Sequence, residues 1–358
     1  MNSKLLSIII PTYNMAELLP RCLDSLVTAQ GADATLEAVV VNDGSKDNSL
    51  AVAQDYQKRY PNIITVIDKP NGNYGSTINA ALPVAKGKYV KVLDSDDRFD
   101  VHALEQFIAK LETTNADIFI NHCTQIVGSK HEVVKYNTMG REPYDYDKVY
   151  DLDEVLKDGY IRFFLMPTLT YQTELLRQIN YRQTEGISYT DTQWACYPLF
   201  FAKTICFCDL KLYQYNLNRE GQTMDPKVLM RSASQLQKVT DDMLAYFESH
   251  IMKVSAIRKQ WLNQYFVNRL RILYKLYLLD IPRENFHAEE VEAMDAKYMP
   301  LCEKYNWQVK LYPENKILRT EYISYWNKHH KRWPLWYEKF NKMVDGVVKG
   351  LYIRFIRR

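Results

Sequence analysis

The chain has 358 residues, of which 47% are hydrophobic and 25% are charged, and it carries a formal net charge of +3. This composition excludes disordered, collagen-like and disulfide-rich classes, and the length is sufficient for two packed domains. No uncharged apolar stretch approaches the roughly 18 residues of a membrane span, and we expect no signal peptide before the first strand. The six scattered cysteines are expected to be reduced thiols of a cytoplasmic protein.

The first hundred residues repeat one unit, in which an apolar β-strand ends at a polar loop and a helix follows. The pattern predicts strands at residues 5–10, 36–41, 63–67 and 88–93, and helices at 16–28, 47–59, 76–85 and 101–113. Asp47 or Ser45 is expected to cap the second helix. Strands that alternate with helices at this spacing favour an α/β fold with a largely parallel sheet covered on both faces.

Polar residues close each of the four predicted strands. These closing segments are Pro11–Asn14, Asn42–Ser45, Asn71–Ser76 and Asp94–Asp97. If the strands are parallel, the four loops converge on one edge of the sheet, where ligand crevices form. The first loop has no glycine, which excludes a dinucleotide fingerprint, and the third has no lysine, which excludes a Walker loop. The remaining interpretation is a nucleotide held by an aspartate and backbone groups, with a metal neutralising its diphosphate.

The fourth loop carries three carboxylates, Asp94, Asp96 and Asp97, within four positions. Their mutual repulsion is relieved if a cation with oxygen ligands lies between them, or if hydroxyl groups of a ligand bond to one of them. The Asp94–Asp96 pair is therefore a candidate metal and sugar-nucleotide site. The alternative is structural, with Asp97 or Asp100 capping the helix at 101–113.

Four segments together resemble the family 2 glycosyltransferases of the GT-A fold. They are Ser7–Asn14, Val39–Ser45, Asn71–Gly75 with Asn79, and Leu93–Asp97, and both their order and their spacing match the family pattern. The resemblance is specific over about residues 5–100 and looser to about residue 224. It implies an α/β, Rossmann-like GT-A domain with a mostly parallel sheet flanked by helices, followed here by a helical C-terminal domain.

The resemblance also implies a set of site residues. The nucleotide-sugar pocket would include Pro11, Thr12, Tyr13, Asn14, Asp43, Asn71, Gly75, Asn79, Asp94, Ser95 and Arg219. Asp94 would face the ribose, and Asp96 together with Asp94 would hold a divalent cation, Mn²⁺ or Mg²⁺. The chain departs from the family at Asn42, where many members have a second acidic residue, so Asp43 is the stronger base-contacting candidate. Each asparagine of the set has a simpler interpretation as a turn or cap residue.

The segment Glu185–Trp194 resembles the acidic motif on the acceptor side of the same family. Asp191 takes the position of the catalytic base, which implies a single displacement with inversion at the anomeric carbon. Tyr189 and Trp194 are the acceptor-side candidates. The alternatives are that Asp191 is the N-cap of a helix at 192–201 and that Trp194 contributes only core volume.

A third family-like segment, Arg219–Thr223, follows a strand predicted at residues 209–216. The resemblance implies that Arg219 folds over the diphosphate as a second cation. A surface turn is the competing interpretation of the same residues.

The character of the chain changes after Pro226. Long segments without glycine at 227–249, 253–281 and 286–305 predict a helical domain, with an apolar stripe through Trp261, Ile272 and Leu276. After residue 300 the sequence has thirteen Lys and Arg against five Asp and Glu, and four of the six tryptophans. Val344–Arg358 alternates apolar and basic residues, as an amphipathic helix on a membrane surface does. Packing of that face on the protein is the alternative.

These patterns predict two domains, a GT-A domain at 1–224 with a donor half at about 1–100 and an acceptor half at 101–224, and a basic helical domain at 225–358. The resemblance implies an inverting, metal-dependent enzyme that transfers a sugar from a nucleotide-sugar, most simply a UDP-sugar, to a hydroxyl of a glycan or lipid-linked acceptor in surface polysaccharide synthesis. A catalytically silent sugar-nucleotide-binding scaffold and a sugar nucleotidyltransferase are the alternatives. We expect a cytoplasmic protein with peripheral membrane contact, possible self-association and no nucleic-acid partner; the sugar and linkage have no readable signal.

Overall fold

The computed structural model describes residues 4–128, 130–134, 143–216, 232–312, 321–341 and 343–344. The chain divides into two units, one formed by residues 1–228 with 241–261 and the other by residues 229–240 with 262–358. The first unit thus takes in residues 241–261, which lie beyond the boundary near residue 224 that the sequence suggested.

An eight-stranded sheet forms the centre of the first unit. Its strands, in spatial order, are β3 (Ile64–Lys69), β2 (Leu36–Asp43), β1 (Leu6–Thr12), β4 (Tyr89–Val92), β10 (Leu169–Gln172), β6 (Ile118–Ile120), β11 (Thr204–Phe207) and β9 (Val149–Asp151). The first four are parallel, as predicted. β10 is antiparallel to both of its neighbours, so β4 and β6 point the same way.

Burial of side chains on both faces is consistent with β1 and β2 being interior strands of the sheet. Ile8 and Ile10 join one core cluster with the apolar side chains of the flanking helices, while Ile9 and Val39 are equally buried on the opposite face. Strands that are apolar on both sides need helices on both sides. The parallel run of this sheet therefore follows from the continuous apolar sequence of its strands.

Helices α1 (Leu19–Val27), α3 (Ser49–Arg59), α4 (Asn73–Ala81) and α5 (Val101–Thr113) lie close to the predicted positions. Helices α2 (Ala32–Thr35), α6 (Leu152–Lys157) and α7 (Thr173–Gln178) were not predicted, and α8 (Asp191–Cys196) covers the first part of the helix expected at 192–201. α3 has Asn48 at its N-cap, but Asp47 accepts a hydrogen bond of 2.9 Å from the amide of Ser49, the first residue of the helix. α8 is shorter than predicted because Pro198 follows it in a 3₁₀ turn over Tyr197–Phe200.

A second sheet of four strands lies beside Asp94–Asp97, which we call the carboxylate loop. Its order is β5 (Arg98–Phe99), β12 (Tyr213–Asn216), β7 (Cys123–Val127) and β8 (Lys130–Val134). Tyr213 pairs with Phe99 in an antiparallel register and with Cys123 in a parallel one. This sheet brings a strand from the end of the acceptor half next to Asp94–Asp97.

The second unit is helical, as predicted. It includes residues 233–240 of the helix Ala233–His250 and residues 262–275 of the helix Ala256–Lys275, and the helices Ala288–Tyr305 and Tyr322–His329 lie wholly within it. The predicted stripe is partly wrong, because Ile272 is 52% exposed whereas Leu262, Phe266, Leu270 and Leu273 are buried. Of the predicted amphipathic segment Val344–Arg358, all but the first residue lies outside the described part of the chain.

Two further sequence expectations concern cysteines and membrane spans. All six cysteines are free and buried. Over the part of the chain that the structure describes, no helix is both long and apolar enough to cross a bilayer.

Candidate active site

The carboxylate loop is fixed by helix α1, which precedes it by about seventy positions. The guanidinium of Arg21 donates a hydrogen bond of 2.9 Å from Nη2 to the carbonyl oxygen of Asp96, and the thiol of Cys22 lies 3.8 Å from the carbonyl oxygen of Asp94. The amide of Asp97 closes the turn onto Asp94 at 2.9 Å. Buried Ser95 lies between the two aspartates. The main chain of the loop is thus held by contacts with α1 and by its own turn.

Asp94 shares its electrostatic environment with Asp96 and Asp191. Its carboxylate accepts a hydrogen bond of 3.1 Å from the Tyr74 hydroxyl. Burial, followed by the negative charges of Asp96 and then of Asp191, raises the pKa of Asp94 to about 7. Because such an effect requires proximity, the structure brings Asp191 close to the carboxylate loop.

The hydroxyl of Tyr213 links two parts of the same loop. It donates a hydrogen bond of 2.8 Å to the carboxylate of Asp97 and accepts one of 3.1 Å from the Asp94 amide. The amide of Asn216 donates to the other oxygen of Asp97 at 2.7 Å. Burial, followed by the charges of Asp94 and Asp96, raises the pKa of Asp97 to about 8. The helix cap that the sequence offered to Asp97 or Asp100 belongs to Asp100, which accepts from the Ala103 amide at 2.9 Å.

Asp43 organises the third loop. Its buried carboxylate lies 2.7 Å from the ammonium group of Lys69 and accepts a hydrogen bond of 3.0 Å from the Gly72 amide. The side-chain amide of Asn71 donates to the Asp43 carbonyl at 2.9 Å. Asn71 therefore has the turn role that was its simpler interpretation, and Lys69 is a partner that the sequence patterns did not reveal.

The first loop leaves the sheet at Thr12, the last residue of β1. Thr12 is buried and its hydroxyl donates to the Ile10 carbonyl, whereas Tyr13 is exposed at the edge. Asn14 has a φ of 54°, and its side chain accepts a hydrogen bond of 2.8 Å from the Lys46 amide. Of the predicted set Pro11–Asn14, Tyr13 is thus the residue that presents a large side chain at the crevice edge.

Asn79 and Gly75, which the resemblance places in the nucleotide pocket, contact the acceptor half. The Asn79 side chain donates to the Gln183 carbonyl and accepts from the Gln183 amide, both at 2.9 Å. A Cβ atom on Gly75 would lie 2.1 Å from the carbonyl oxygen of Thr184, so only glycine permits this approach of α4. Helix α4 therefore holds the segment that leads to Asp191.

Asp191 is the first residue of α8, and the residue before it, Thr190, is the N-cap, without a side-chain capping bond. The N-cap position that the sequence offered to Asp191 therefore belongs to Thr190. Tyr189 has a φ of 66°, a left-handed conformation that is costly for a bulky side chain and that occurs mostly at functional sites. The loop thus turns sharply immediately before the predicted base.

Gln193 ties α8 to this loop. Its side-chain oxygen accepts from the Thr184 amide at 2.8 Å, and its nitrogen donates to the hydroxyls of Thr184 and Tyr197 at 2.9 and 3.0 Å. The Thr184 hydroxyl in turn donates to Asp242 at 2.8 Å. This buried network fixes the first turn of α8, where Asp191 lies.

Trp194 belongs to the core, which corrects its assignment to the acceptor side. The side chain is fully buried and packs edge-on against Tyr171 and Tyr181, with ring centroids 5.1 and 5.5 Å apart. No face of the indole is open to a sugar. Tyr189 remains the acceptor-side candidate because it is only partly buried.

Residues 7–173 match the family model Glycosyl transferase family 2. This part of the chain is a glycosyl transferase family 2 domain. Among curated proteins, the chain is 41% identical over 107 residues to an uncharacterized glycosyltransferase of Mycoplasma pneumoniae, covering 29% of this chain and 36% of that protein. It is 29% identical over 221 residues to a poly(ribitol-phosphate) beta-glucosyltransferase of Bacillus spizizenii, covering 61% and 33%. The aligned segments span about a third of these relatives.

A solved structure resembles most of this chain in fold. It is the crystal structure of residues 1–349 of Staphylococcus aureus TarS in complex with UDP-GlcNAc, with a TM-score of 0.52 at 22% identity over 84% of this chain and 87% of that chain. The likeness confirms the GT-A fold of the family 2 domain and of the segment that follows it.

The carboxylates of the family 2 domain fit a divalent cation. No group of three His, Cys, Asp or Glu side chains gathers as a metal site within the described ranges. A cation bound with a diphosphate takes only one or two ligands from protein carboxylates and the rest from phosphate and water. The buried charge of Asp94 beside that of Asp96, expressed in the raised pKa of Asp94, is the repulsion that such a cation relieves.

Sequence reasoning missed two tyrosines whose hydroxyls contact Asp94. No local pattern in the third loop, which contains Tyr74, or in β12, which contains Tyr213, indicates these contacts. It also missed the buried Lys91 of β4, whose side-chain nitrogen donates to the carbonyls of Pro167 and Leu169 at 2.8 and 3.1 Å. A lysine inside an apolar strand was the available signal. Arg219 lies outside the described residues.

Proposed function

We propose that the chain is an inverting glycosyltransferase that moves a sugar from a nucleotide-sugar, most simply a UDP-sugar, to a hydroxyl of a glycan or lipid-linked glycan acceptor. The observation that carries the proposal is the proximity of Asp191, on the acceptor side, to Asp94 and Asp96 on the donor side. Two relatives are a poly(ribitol-phosphate) glucosyltransferase and N-acetylglucosaminyltransferase by name, and a neighbour of the same fold binds UDP-GlcNAc, which supports this donor and a surface polysaccharide acceptor.

In the proposed reaction, the acceptor hydroxyl attacks the anomeric carbon from the face opposite to the diphosphate. The C–O bond to the acceptor forms as the bond to the diphosphate breaks, so the configuration inverts. The Asp191 carboxylate takes the hydroxyl proton, and the diphosphate leaves with the bonding electron pair. The Gln193 network and the tight turn at Tyr189 keep Asp191 in place, which limits the reorganisation needed at the moment of transfer.

Asp96 and Asp94 are the residues that would hold a divalent cation. When bound, such a cation supplies positive charge that offsets the charge developing on the departing diphosphate. Asp94 itself is oriented by the Tyr74 hydroxyl, and the loop main chain is held by Arg21. These contacts hold the Asp94 side chain and the main chain of the loop in place before a donor arrives.

Arg219 is the proposed second cation of the site. It follows Asn216 by three positions, a span of at most about 10 Å. The side-chain amide of Asn216 donates to the Asp96 carbonyl at 2.6 Å, and its main-chain amide donates to Asp97. The start of the segment that carries Arg219 is therefore anchored on the carboxylate loop, which supports a contact between Arg219 and phosphate oxygens.

The test is a pair of matched substitutions, Asp191→Asn and Asp242→Asn. Asp191→Asn should leave donor binding unchanged in calorimetry against a panel of nucleotide-sugars with Mn²⁺, but it should lower sugar transfer by a factor of about 10³ or more. Asp242→Asn alters the same network one hydrogen bond further away and should retain most of the activity.

Three outcomes oppose the proposal. Transfer by Asp191→Asn at the parent rate would exclude Asp191 as the base. A parent protein that binds nucleotide-sugars but never transfers or hydrolyses them would favour the silent scaffold, and release of pyrophosphate from a nucleotide and sugar phosphate would favour a nucleotidyltransferase.

A further inference from the structure

The last helix that the structure describes in the second unit has an exposed apolar face. Residues 335–341 and 343–344 are helical. Trp336, Phe340 and Met343 follow one another at spacings of four and three, so their side chains share one side of the helix. They are 69%, 41% and 59% exposed. Single exposed apolar residues are ordinary, but three aligned ones indicate a binding surface.

The opposite face of this helix is fixed to the second unit. Tyr337 is buried and stacks on Trp333 with ring centroids 4.1 Å apart. Asn341 is buried and donates a hydrogen bond of 2.8 Å to the hydroxyl of Tyr322. The exposed face is therefore presented by a helix whose orientation is set by packing and hydrogen bonding.

A basic pocket adjoins the same helix. It encloses about 530 Å³ and is lined by Arg283, Phe286, His287, Ala288, Glu289, His330, Lys331 and Arg332. Glu338 of the helix connects the two features, because its carboxylate lies 2.6 Å from the guanidinium of Arg283 and 3.6 Å from that of Arg332. Two arginines are thus held in place at the pocket while Lys331 is exposed beside them.

We infer that this surface, formed by Trp336, Phe340 and Met343 together with the basic pocket, docks the protein onto an anionic phospholipid bilayer. The aromatic and thioether side chains enter the boundary between headgroups and acyl chains, and the pocket receives a headgroup phosphate. Exposed Lys339 lies on the same face of the helix, between Trp336 and Met343.

Charge complementarity decides in favour of an anionic bilayer over a second copy of this chain. The surface itself carries Arg283, Lys331, Arg332 and Lys339 against Glu289 and Glu338, so two copies of it would repel one another, whereas an anionic leaflet attracts its excess positive charge. The surface lies before the segment 345–358, so it is distinct from the tail that the sequence singled out. Membrane binding through this surface requires no sugar transfer, so this inference is independent of the proposed function.

The test is co-sedimentation of the full chain with lipid vesicles. The parent protein should bind vesicles that contain phosphatidylglycerol more tightly than vesicles of phosphatidylcholine alone, and high salt should weaken the binding. The double variant Trp336→Ser/Phe340→Ser should bind at least about tenfold more weakly. Lys331→Glu/Lys339→Glu should lose only the preference for phosphatidylglycerol.

The matched control is Met252→Ser, which removes a 79% exposed apolar side chain of the first unit and should leave vesicle binding unchanged. Circular dichroism and thermal melting verify that each variant is folded. The inference is overturned if the parent protein binds neither vesicle type. It is also overturned if the double variant binds as tightly as the parent. A double variant that converts a parent dimer to a monomer, without any vesicle binding by the parent, assigns the surface to self-association instead.

Discussion

The side chain of Asn79 pairs with the main chain of Gln183 as one peptide group pairs with another, through two hydrogen bonds of 2.9 Å across 104 positions of sequence. Asn79 lies on α4, directly after the loop that Asp43 organises, and Gln183 lies in the segment that ends at Asp191. The donor side and the proposed base are therefore connected by a rigid two-point contact.

Asn79→Ala tests this connection. We expect kcat to fall by a factor of about 10 to 100 while the donor dissociation constant changes less, because the variant loosens the placement of Asp191 and leaves the donor loops intact. The free energy of unfolding should fall by about 1 to 3 kcal/mol, since the peptide group of Gln183 loses buried partners. Transfer kinetics and calorimetry separate the two effects. Exposed Asn62→Ala is the control, and equal losses of kcat and donor affinity would contradict the positioning role.

Gly75→Ala should reproduce this kinetic pattern through a different contact. The added methyl group would lie 2.1 Å from the Thr184 carbonyl, so α4 and the Asp191 loop must separate. We expect lower kcat and a loss of about 1 to 3 kcal/mol of stability. Ala80→Gly on the same helix lowers helix propensity at a cost of about 1 kcal/mol and introduces no clash, so it should lower stability but not kcat. A fully active Gly75→Ala protein would show that this contact is dispensable.

Asp96→Ala should weaken donor binding only where a divalent cation contributes to it. In calorimetry with a UDP-sugar, the variant should bind about 10- to 100-fold more weakly than the parent in the presence of Mn²⁺, and the difference should shrink when EDTA is present. Asp55→Ala, at an exposed position of α3, is the control. Identical affinities of parent and variant with Mn²⁺ would remove Asp96 from the metal site.

Lys91 predicts a pH dependence of stability. Burial lowers its pKa from 10.5 to about 7. Between these values the unfolded chain holds the proton and the folded chain does not, so the free energy of unfolding rises with pH, by up to about 1.4 kcal/mol per pH unit. Lys91→Met should remove that contribution, seen in urea unfolding at about pH 7.5 and about pH 9.5. Exposed Lys88→Met should keep it. A Lys91→Met protein with the parent slope would refute the assignment.

The sequence predicted those parts of the site that depend on local pattern. Four parallel strands, the polar loops at their carboxyl ends and the Asp100 cap all follow from residue periodicity and turn chemistry over short windows. The position of β10 does not, because Leu169–Gln172 is inserted antiparallel between β4 and β6 and lies in a region without a readable motif.

Contacts between residues that are distant in the sequence could not be predicted either. The letters of Asn79 and Gly75 fit a loop that binds a nucleotide, yet their partners are Gln183 and Thr184, and nothing in a local window specifies that pairing. Trp194 was ambiguous for a different reason, because an aromatic residue near a predicted base could either stack on a sugar or pack in the core. Only the packing of Tyr171 and Tyr181 around it decides between them.

The assignment of residues 241–261 to the first unit bears on how a minimal expression fragment should be cut. Tyr246 stacks on Tyr197 at 3.8 Å, and the indole of Trp261 donates to the Ile161 carbonyl at 2.7 Å. A fragment truncated at residue 224 would lack the ring that stacks on Tyr197, in the turn directly after α8, and the indole that bonds to the Ile161 carbonyl. Recombinant production of the first unit alone should therefore retain the polypeptide to at least residue 261.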